Sequence, residues 1–241
     1  MSQIFRLYEP ISFQNQSVIS FSGDEHHILT RVLRMKEGDA IEILNGEGSI
    51  AKATLTSIHS KATQVTVESF ITHQRPKPCI ELMVGSLKGE KLSLVVQKSA
   101  ELGVSRIGFF ISDHSVAVKS ESILDKSKKI LIEAIRQSGN PFLPALNFYK
   151  SLDQVKLRKD TTHWNLFMNE KEEKVFSSLI KMEPPESITL FVGPEGGFSQ
   201  DEKLFFVREG CYSVRIAPYT LRSETAAISA LAACTAVFGR K

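Results

Sequence analysis

Cysteine and long apolar runs are both scarce in this chain of 241 residues. The three cysteines, Cys79, Cys211 and Cys234, lie far apart and show no C-x-x-C spacing, which predicts neither a disulfide framework nor a zinc site. We interpret them as buried small apolar residues. No segment approaches the ~20 apolar residues of a membrane-spanning helix, and the first residues lack the apolar core of a signal peptide. We therefore expect a globular protein in the cytoplasm, with no membrane partner and no metal.

Phosphate-binding signatures are also absent. No Gly-Lys-Ser or Gly-Lys-Thr follows a glycine-rich loop and no G-x-G-x-x-G occurs, so we expect a ligand that is not held by its phosphates. Charge is nearly balanced, with 30 Lys and Arg against 27 Asp and Glu. Residues 1–72 carry 6 basic and 8 acidic side chains, whereas residues 73–241 carry 24 and 19. An excess this small does not by itself indicate nucleic-acid binding, which depends on local clusters.

Short strands with alternating apolar and polar residues dominate residues 1–72, which favours a small barrel. Between two of these strands, residues 45–48 read Asn-Gly-Glu-Gly, which is typical of a hairpin turn. One predicted helix, residues 24–34, interrupts the strands. Its expected inward residues are Ile28, Leu29, Val32 and Leu33. The predicted strands are residues 4–8, 18–22, 40–44, 50–58 and 64–70.

Residues 73–78 contain two prolines among polar side chains and are typical of a linker. After them, strand-like and helix-like segments alternate to the end of the chain, which predicts a mostly parallel sheet covered by helices in a domain of residues 79–241. The predicted strands are 80–87, 106–111, 145–149, 163–168, 188–192 and 213–217. The predicted helices are 90–102, 121–137, 172–181, 201–209 and 224–238.

Two C-terminal blocks are the most informative part of the chain. Residues 191–199 read FVGPEGGFS and residues 216–226 read IAPYTLRSETA, each an apolar strand end followed by a polar loop and a helix start. Parallel strands place such loops at one edge of a sheet, where open α/β sheets bind ligands. Turn geometry and capping, by Ser199 with Glu202 and by Ser223, also account for most of these residues. They do not account for Arg222, whose guanidinium suits a carbonyl, carboxylate or phosphate.

Other polar residues have a functional interpretation and an ordinary one. Glu101 ends a helix where the dipole disfavours a carboxylate slightly, so it is a candidate base or a solvated helix end. His27, Arg31 and Arg34 share one helical side and suit either phosphates or solvent. Lys88 follows the first strand of the second domain.

Several motifs together resemble the RsmE family of ribosomal RNA methyltransferases, in order and over nearly the whole chain. They are HHILTRVLRMKEGD, ELGV, EAIRQSGNPFLP, LFVGPEGGFSQDE and LRSETAA. The resemblance implies an α/β fold in which a small PUA-like β-barrel domain, residues 1–72, precedes a SPOUT-type C-terminal domain with a trefoil knot. It implies a homodimer, S-adenosylmethionine as cofactor, and methyl transfer to N3 of a specific uridine in 16S ribosomal RNA of the small subunit.

Residue by residue, the resemblance places the cofactor on three loops. The implied cofactor-binding residues are Phe167, Met168, Asn169, Val192, Gly193, Pro194, Glu195, Gly196, Gly197, Ile216, Ala217, Tyr219, Leu221 and Thr225. Attack by uracil N3 requires loss of its proton and stabilisation of charge on the carbonyl oxygens. Arg222 is the candidate donor, and Glu224, Glu101 and Glu195 compete as the base. The candidate RNA contacts are Arg6, His27, Arg31, Arg34 and Lys88.

The chain departs from the family pattern in two places. Residues 136–140 read RQSGN where a motif like E-Q-C/S-G-R is usual, which puts a contact by a terminal arginine in doubt. Residues 112–115 read SDHS in place of S-E-R-S. Two other functions stay open: an RNA-binding protein without transferase activity, and a knotted methyltransferase for transfer RNA or a ribose 2′-hydroxyl. The sequence does not distinguish naked RNA from an assembled subunit as substrate.

Overall fold

A computed structural model describes residues 4–85, 87, 89–115 and 120–239. Two compact units make up the chain. The first contains the residues up to Arg75 together with Ile135–Leu143, and the second contains Pro76–Ala134 and the residues from Pro144 onward. Nothing in the sequence indicated that residues 135–143 would pack with the first unit.

The first unit is built on a curled five-stranded sheet in the order β1-β3-β4-β5-β2. Its pairings are antiparallel except for the parallel pair β1 and β3. Irregular register along β4 bends the sheet, and alternate residues of its strands form the core. These strands confirm the predicted ones to within two residues, as β1 Arg6–Tyr8, β2 Val18–Ser22, β3 Ala40–Leu44, β4 Ser49–Ile58 and β5 Ala62–Thr72.

The helix expected at residues 24–34 is only partly present. Helix α1 spans Gly23–His27, and a π-helical turn, Ile28–Val32, follows it. The amide of Leu33 donates to the carbonyl of Ile28 at 2.9 Å, a spacing of five residues that breaks the 3.6-residue period. Consequently Leu29 is fully buried, whereas Val32 is 63% and Leu33 41% exposed, so the predicted inward face was wrong for these two.

The turn between β3 and β4 contacts residues 141–142, which belong to the later segment of the chain that packs in the first unit. Asn45 Oδ1 accepts the amides of Glu47 at 2.8 Å and Ser49 at 2.9 Å, which closes the predicted hairpin turn. Phe142 packs so closely on Gly48 that a Cβ there would lie 2.6 Å from its ring. The amide of Gly48 also donates to the carbonyl of Pro141 at 3.0 Å. Residues 141–142 therefore complete the hairpin end of the first unit.

The second unit contains a six-stranded sheet in the order β11-β9-β10-β6-β7-β8. All five pairings are parallel, which confirms the predicted parallel sheet. Every residue of β9 and β10 is buried, as expected for central parallel strands. The strands are β6 Cys79–Gly85, β7 Arg106–Phe110, β8 Ala145–Tyr149, β9 His163–Met168, β10 Ser187–Val192 and β11 Tyr212–Val214.

Four helices accompany this sheet: α2 Gly89–Glu101, α3 Ser120–Ser138, α4 Gln200–Arg208 and α5 Ser223–Phe238. The helix predicted at residues 172–181 was wrong. A short 3-10 turn, Phe176–Lys181, stands there, because the amide of Phe176 donates to the carbonyl of Arg215 and the preceding residues form loop hydrogen bonds. None of the helices in the described ranges is long and apolar enough to cross a membrane.

The three cysteines are free. Burial raises the pKa of the Cys211 and Cys234 thiols to about 12, so both behave as apolar core residues, as predicted. Cys79, at the start of β6, is only partly buried, which corrects that prediction for one of the three.

Candidate active site

A cleft opens at the carboxyl edge of the second sheet, where β9, β10 and β11 end side by side. Loops leave parallel strands at this edge in one direction, which is why α/β sheets bind ligands there. The cleft is lined by residues 168–170, 192–198, 215–217 and 219–221, with Ser223 and Ala226. The two polar C-terminal loops predicted to meet at one edge do so.

The glycine loop, residues 193–197, forms one wall of the cleft. It passes over the end of β6, where a Cβ on Gly85 would lie 2.6 Å from Cδ of Pro194. Gly197 has a φ of +69°, which favours glycine, and its amide donates to the carbonyl of Pro194 at 2.9 Å. The loop is thus a tight turn that presents main chain to the cleft.

Helix starts on both sides hold this loop. Ser199 and Glu202 form the predicted capping box of α4, with Ser199 Oγ accepting the amide of Glu202 at 3.2 Å. The cap predicted for Ser223 was wrong: Arg222 occupies the N-cap position of α5, and no side chain caps the helix. The Ser223 hydroxyl instead donates to the carbonyl of Gly193, which ties α5 to the glycine loop.

The polar groups of the cleft include one donor without a protein partner. Nε of Arg215 is buried and makes no hydrogen bond. The carboxylates are partly compensated, since Glu195 lies 2.9 Å from Nζ of Lys91 and Glu170 lies 3.9 Å from Nζ of Lys203. A buried donor that lacks an acceptor costs free energy unless a ligand supplies one. The cleft therefore suits a ligand with an acceptor near Arg215.

A loop after β7 packs against the glycine loop. Ser112 Oγ donates to the buried carboxylate of Glu202 at 2.9 Å, and the amide of Asp113 donates to it at 3.2 Å. Nδ1 of His114 lies 3.1 Å from the carbonyl oxygen of Gly196 and 3.2 Å from that of Gly197. The sequence predicted no functional residue in this segment, because residues 112–115 depart from the family pattern.

Comparison with known proteins decides the family. A family model described as an RNA methyltransferase domain matches residues 73–235, and one described as an RNA methyltransferase PUA domain matches residues 21–68. Ribosomal RNA small subunit methyltransferase E 2 of Borreliella burgdorferi is 31% identical over 212 residues, covering 86% of each chain. The chain belongs to the ribosomal RNA small subunit methyltransferase E family, RsmE.

Solved structures agree with this RsmE assignment. A structure from Legionella pneumophila, described as a methyltransferase in complex with the bound cofactor SAM, has a TM-score of 0.87 and 31% identity, and covers 99% of this chain and 100% of its own. The small subunit methyltransferase E of Neisseria gonorrhoeae, bound to S-adenosyl methionine, has a TM-score of 0.90 and covers 98% of this chain and 99% of its own. At 24% identity that second likeness shows the fold.

The predicted fold class of this RsmE chain is confirmed, with a PUA-like curled sheet followed by a SPOUT-type parallel sheet. The trefoil knot stays a prediction. Among the described residues, no cluster of three or more His, Cys, Asp or Glu could hold a metal ion.

Of the fourteen residues expected to contact cofactor in RsmE, twelve line the cleft. Phe167 is 1% exposed and packs in the core behind the cleft, and Thr225 lies on the exposed side of α5. The structure brings further residues to the cleft that sequence reasoning missed. They are Phe198, Arg215, Ser223 and Ala226, whereas Glu170 and Thr220, which also line the cleft, lie on the predicted cofactor loops 167–170 and 216–221. Most adjoin predicted positions along the chain, so their place on the same loops was the available signal.

The two candidate catalytic residues at the start of α5 differ in burial. Arg222 is exposed, and although Leu221 and Ser223 on either side line the cleft, Arg222 does not. Glu224 is only 8% exposed, and its Oε2 is buried without a hydrogen bond. It does not line the cleft either. Of the three carboxylates considered as the base, Glu195 alone lines the cleft.

Glu101 lies away from the cleft. It ends α2, and both of its carboxylate oxygens lie 2.9 Å from Nζ of Lys98. The next residue, Leu102, accepts a hydrogen bond from Thr235 Oγ1 at 3.3 Å. Thr235 is twelve residues beyond Ser223 on α5, which is about 18 Å along the helix. The structure therefore places Glu101 at the opposite edge of the sheet within this chain.

The candidate RNA contacts fall into three groups. Nε of Arg6 donates to Glu42 at 2.8 Å, so this guanidinium is engaged within the first unit. His27, Arg31 and Arg34 have exposed side chains. Lys88 lies outside the described residues.

Proposed function

We infer that this protein transfers the methyl group of S-adenosylmethionine to small-subunit ribosomal RNA. Family membership supports this, because the Borreliella burgdorferi relative carries that activity in its name and the Legionella pneumophila structure holds SAM. The main observation behind the inference is the cleft at the carboxyl edge of the sheet. It is lined by the glycine loop and by residues of the segment 215–221, in which Nε of Arg215 has no hydrogen-bond partner.

The residues of the cleft fit this cofactor. S-adenosylmethionine supplies an electrophilic methyl group on a positively charged sulfur. Main-chain groups of residues 193–197 and 216–221 would hold it, and Met168, Val192 and Leu221 offer apolar walls for its adenine. Nε of Arg215 would donate to one of its oxygen or nitrogen acceptors.

We propose N3 of a uridine as the methyl acceptor. This nitrogen is part of an imide, so its proton must leave while negative charge spreads to two carbonyl oxygens. Arg222, exposed beside the cleft, is our candidate donor to one of these oxygens. Glu195 and Glu224 remain candidate bases, whereas the position of Glu101 argues against it.

The first unit is our candidate for the part of the protein that binds the RNA. N3 is on the pairing edge of uracil, so the base must be unpaired or extruded before transfer. Contacts to phosphates by His27, Arg31 and Arg34 would hold structured RNA without reading its sequence. We propose residues 1–72 as the RNA-binding domain and residues 79–241 as the methyltransferase domain, although residues 135–143 of the latter range pack in the first unit. The knot, the homodimer and the cytoplasmic location also remain proposals.

Mapping the methylated position tests the proposed function. Purified protein, labelled S-adenosylmethionine and 16S RNA should give one methylated uridine, blocked at N3, with naked RNA and assembled small subunits compared side by side. Labelled methyl groups on a ribose 2′-hydroxyl, or only in transfer RNA, would show that the methyl acceptor is not N3 of a uridine in 16S RNA. Binding of RNA with no calorimetric signal for S-adenosylmethionine would indicate an RNA-binding protein without transferase activity.

A further inference from the structure

The loop after β7, residues 112–115, is held in place by a buried carboxylate. Glu202 is 6% exposed and accepts hydrogen bonds from Ser112 Oγ and from the amide of Asp113. Its Oε2 also accepts the amide of Ser199 at 2.8 Å, and Ser199 Oγ donates to Asp113. Buried networks of this kind restrict a loop to one conformation. Ser115 Oγ accepts the amide of Ser112 at 3.0 Å, so His114 lies between the anchored Asp113 and Ser115 and is preorganised.

His114 has a defined tautomer in this arrangement. Its Nδ1 lies within 3.2 Å of two carbonyl oxygens, those of Gly196 and Gly197, and carbonyl oxygens only accept. Nδ1 must therefore carry the hydrogen. In the neutral imidazole, Nε2 then has the free electron pair. The hydrogen bond orients the ring in the same way that a partner on Nδ1 orients a catalytic histidine.

The imidazole packs against the glycine loop, which lines the cleft, although His114 itself is not one of the lining residues. Gly196 and Gly197 line the cleft, and a Cβ on Gly196 would lie 2.9 Å from Cβ of His114. The His114 side chain is exposed, so its ring is accessible to a nucleobase that enters from solvent.

We propose that His114 is the general base of the methyl transfer, an assignment that rests on the proposed function. Nε2 takes the proton of uracil N3, and the electron pair of the N3–H bond forms the N3–CH₃ bond. The S–CH₃ bond breaks with its pair remaining on sulfur, which leaves a neutral thioether. The imidazolium then releases its proton to water.

The carboxylates near the cleft are less suited to this step. Glu195 is paired with Lys91 at 2.9 Å, and Glu224 is only 8% exposed. His114 combines an exposed position with a ring held by the main-chain carbonyls of Gly196 and Gly197.

The His114→Asn substitution separates the two roles of this residue. The asparagine amide nitrogen can replace Nδ1 as donor to the glycine loop, but nothing replaces Nε2. We expect the single-turnover rate at saturating cofactor and 16S RNA to fall about 10²–10⁴-fold, with the dissociation constant for S-adenosylmethionine within about twofold of wild type. Added imidazole should partly restore the rate of His114→Ala, and it should have no effect on Glu195→Gln.

If the single-turnover rate of His114→Asn is close to that of an active wild type, the assignment of His114 as the base is wrong but the proposed function is not. The histidine would then only hold the loop. A large loss in Glu195→Gln beside an active His114→Asn would move the role to that carboxylate. A wild-type protein that binds no S-adenosylmethionine would overturn the proposed function and this assignment together.

Discussion

Arg215 directly follows β11 and lines the cleft, and its Nε is buried without a hydrogen-bond partner. We predict that Arg215→Gln weakens S-adenosylmethionine binding about tenfold or more, because a hydrogen bond from a charged donor contributes about 1.5–3 kcal/mol. Folding should change little, since Nε gives up no protein acceptor. Calorimetric titration measures the affinity. The exposed Arg208, on α4 and outside the cleft, provides Arg208→Gln as the control, and equal affinities in the two variants would contradict the assignment.

Arg222 gives a different expectation, because its side chain is exposed and does not line the cleft. We predict that Arg222→Ala lowers the single-turnover methylation rate about 10²–10³-fold, as the loss of a donor to developing negative charge does. Affinity for S-adenosylmethionine should stay near that of wild type. A rapid-quench assay with labelled cofactor measures the rate. Unchanged turnover would remove Arg222 from the reaction.

Among the elements, the start of α4 depends on one carboxylate. Glu202 accepts from Ser112, Asp113 and Ser199, and an amide at this position would turn an NH₂ group toward at least one of these donors. We predict that Glu202→Gln lowers the free energy of unfolding by about 2 kcal/mol. Trp164, the single tryptophan, lies in β9 and reports urea unfolding of the second unit.

The control for Glu202→Gln is Glu186→Gln. Glu186 forms an exposed ion pair with Lys77, so its substitution should cost less than about 0.5 kcal/mol. Equal urea midpoints for the two variants would show that the Glu202 network adds no stability.

The pairing of β9 with β10 contains a buried histidine that makes the sheet sensitive to acid. Burial, with a further contribution from Arg158, lowers the pKa of His163 below its ordinary 6.5. The folded state thus keeps this ring neutral, while the unfolded chain takes up a proton as the pH falls through 6.5. The neutral His163 ring therefore makes its full contribution to the free energy of unfolding above pH 6.5, and this contribution decreases as the pH falls below 6.5.

We accordingly expect the urea midpoint from Trp164 fluorescence to fall between about pH 7.5 and about pH 5.5. His163→Gln should lower the midpoint at both values, because Ser187 and Thr189 lose their ring partner. It should also reduce the change with pH. An identical pH dependence in the variant would mean that other groups cause the acid sensitivity.

In the whole molecule, the first unit is not contiguous in sequence, because residues 135–143 pack with the N-terminal segment. Phe142 is 8% exposed and packs on Gly48 and under the guanidinium of Arg75. We predict that Phe142→Ala destabilises this unit by about 3–5 kcal/mol. Hydrogen exchange followed by mass spectrometry should show faster exchange at the hairpin of residues 45–49. The matched change Phe70→Ala, at a ring 40% exposed, should cost less, and a reversed order would show that residues 135–143 do not support the hairpin.

The local sequence determined most elements of this protein. Rough alternation of apolar and polar residues placed the strands of the first unit, because side-chain periodicity acts over a few residues. The alternation of strand-like and helix-like segments predicted the parallel sheet, in which β9 and β10 are fully buried. The order of motifs indicated the family, and with it twelve of the cleft residues. Capping by Ser199 and Glu202 was equally local.

Tertiary structure alone decided which of these residues meet. The sequence did not show that Glu101 lies at the opposite edge of the sheet from the cleft. Nor did the sequence show that the Ser223 hydroxyl donates to the carbonyl of Gly193 instead of capping α5, or that His114 contacts the glycine loop. It also did not place Phe142 on the hairpin of the first unit. These contacts join residues 30 to 133 positions apart. Only the packing of the folded chain brings them together, because no periodic pattern along the sequence encodes contacts at such separations.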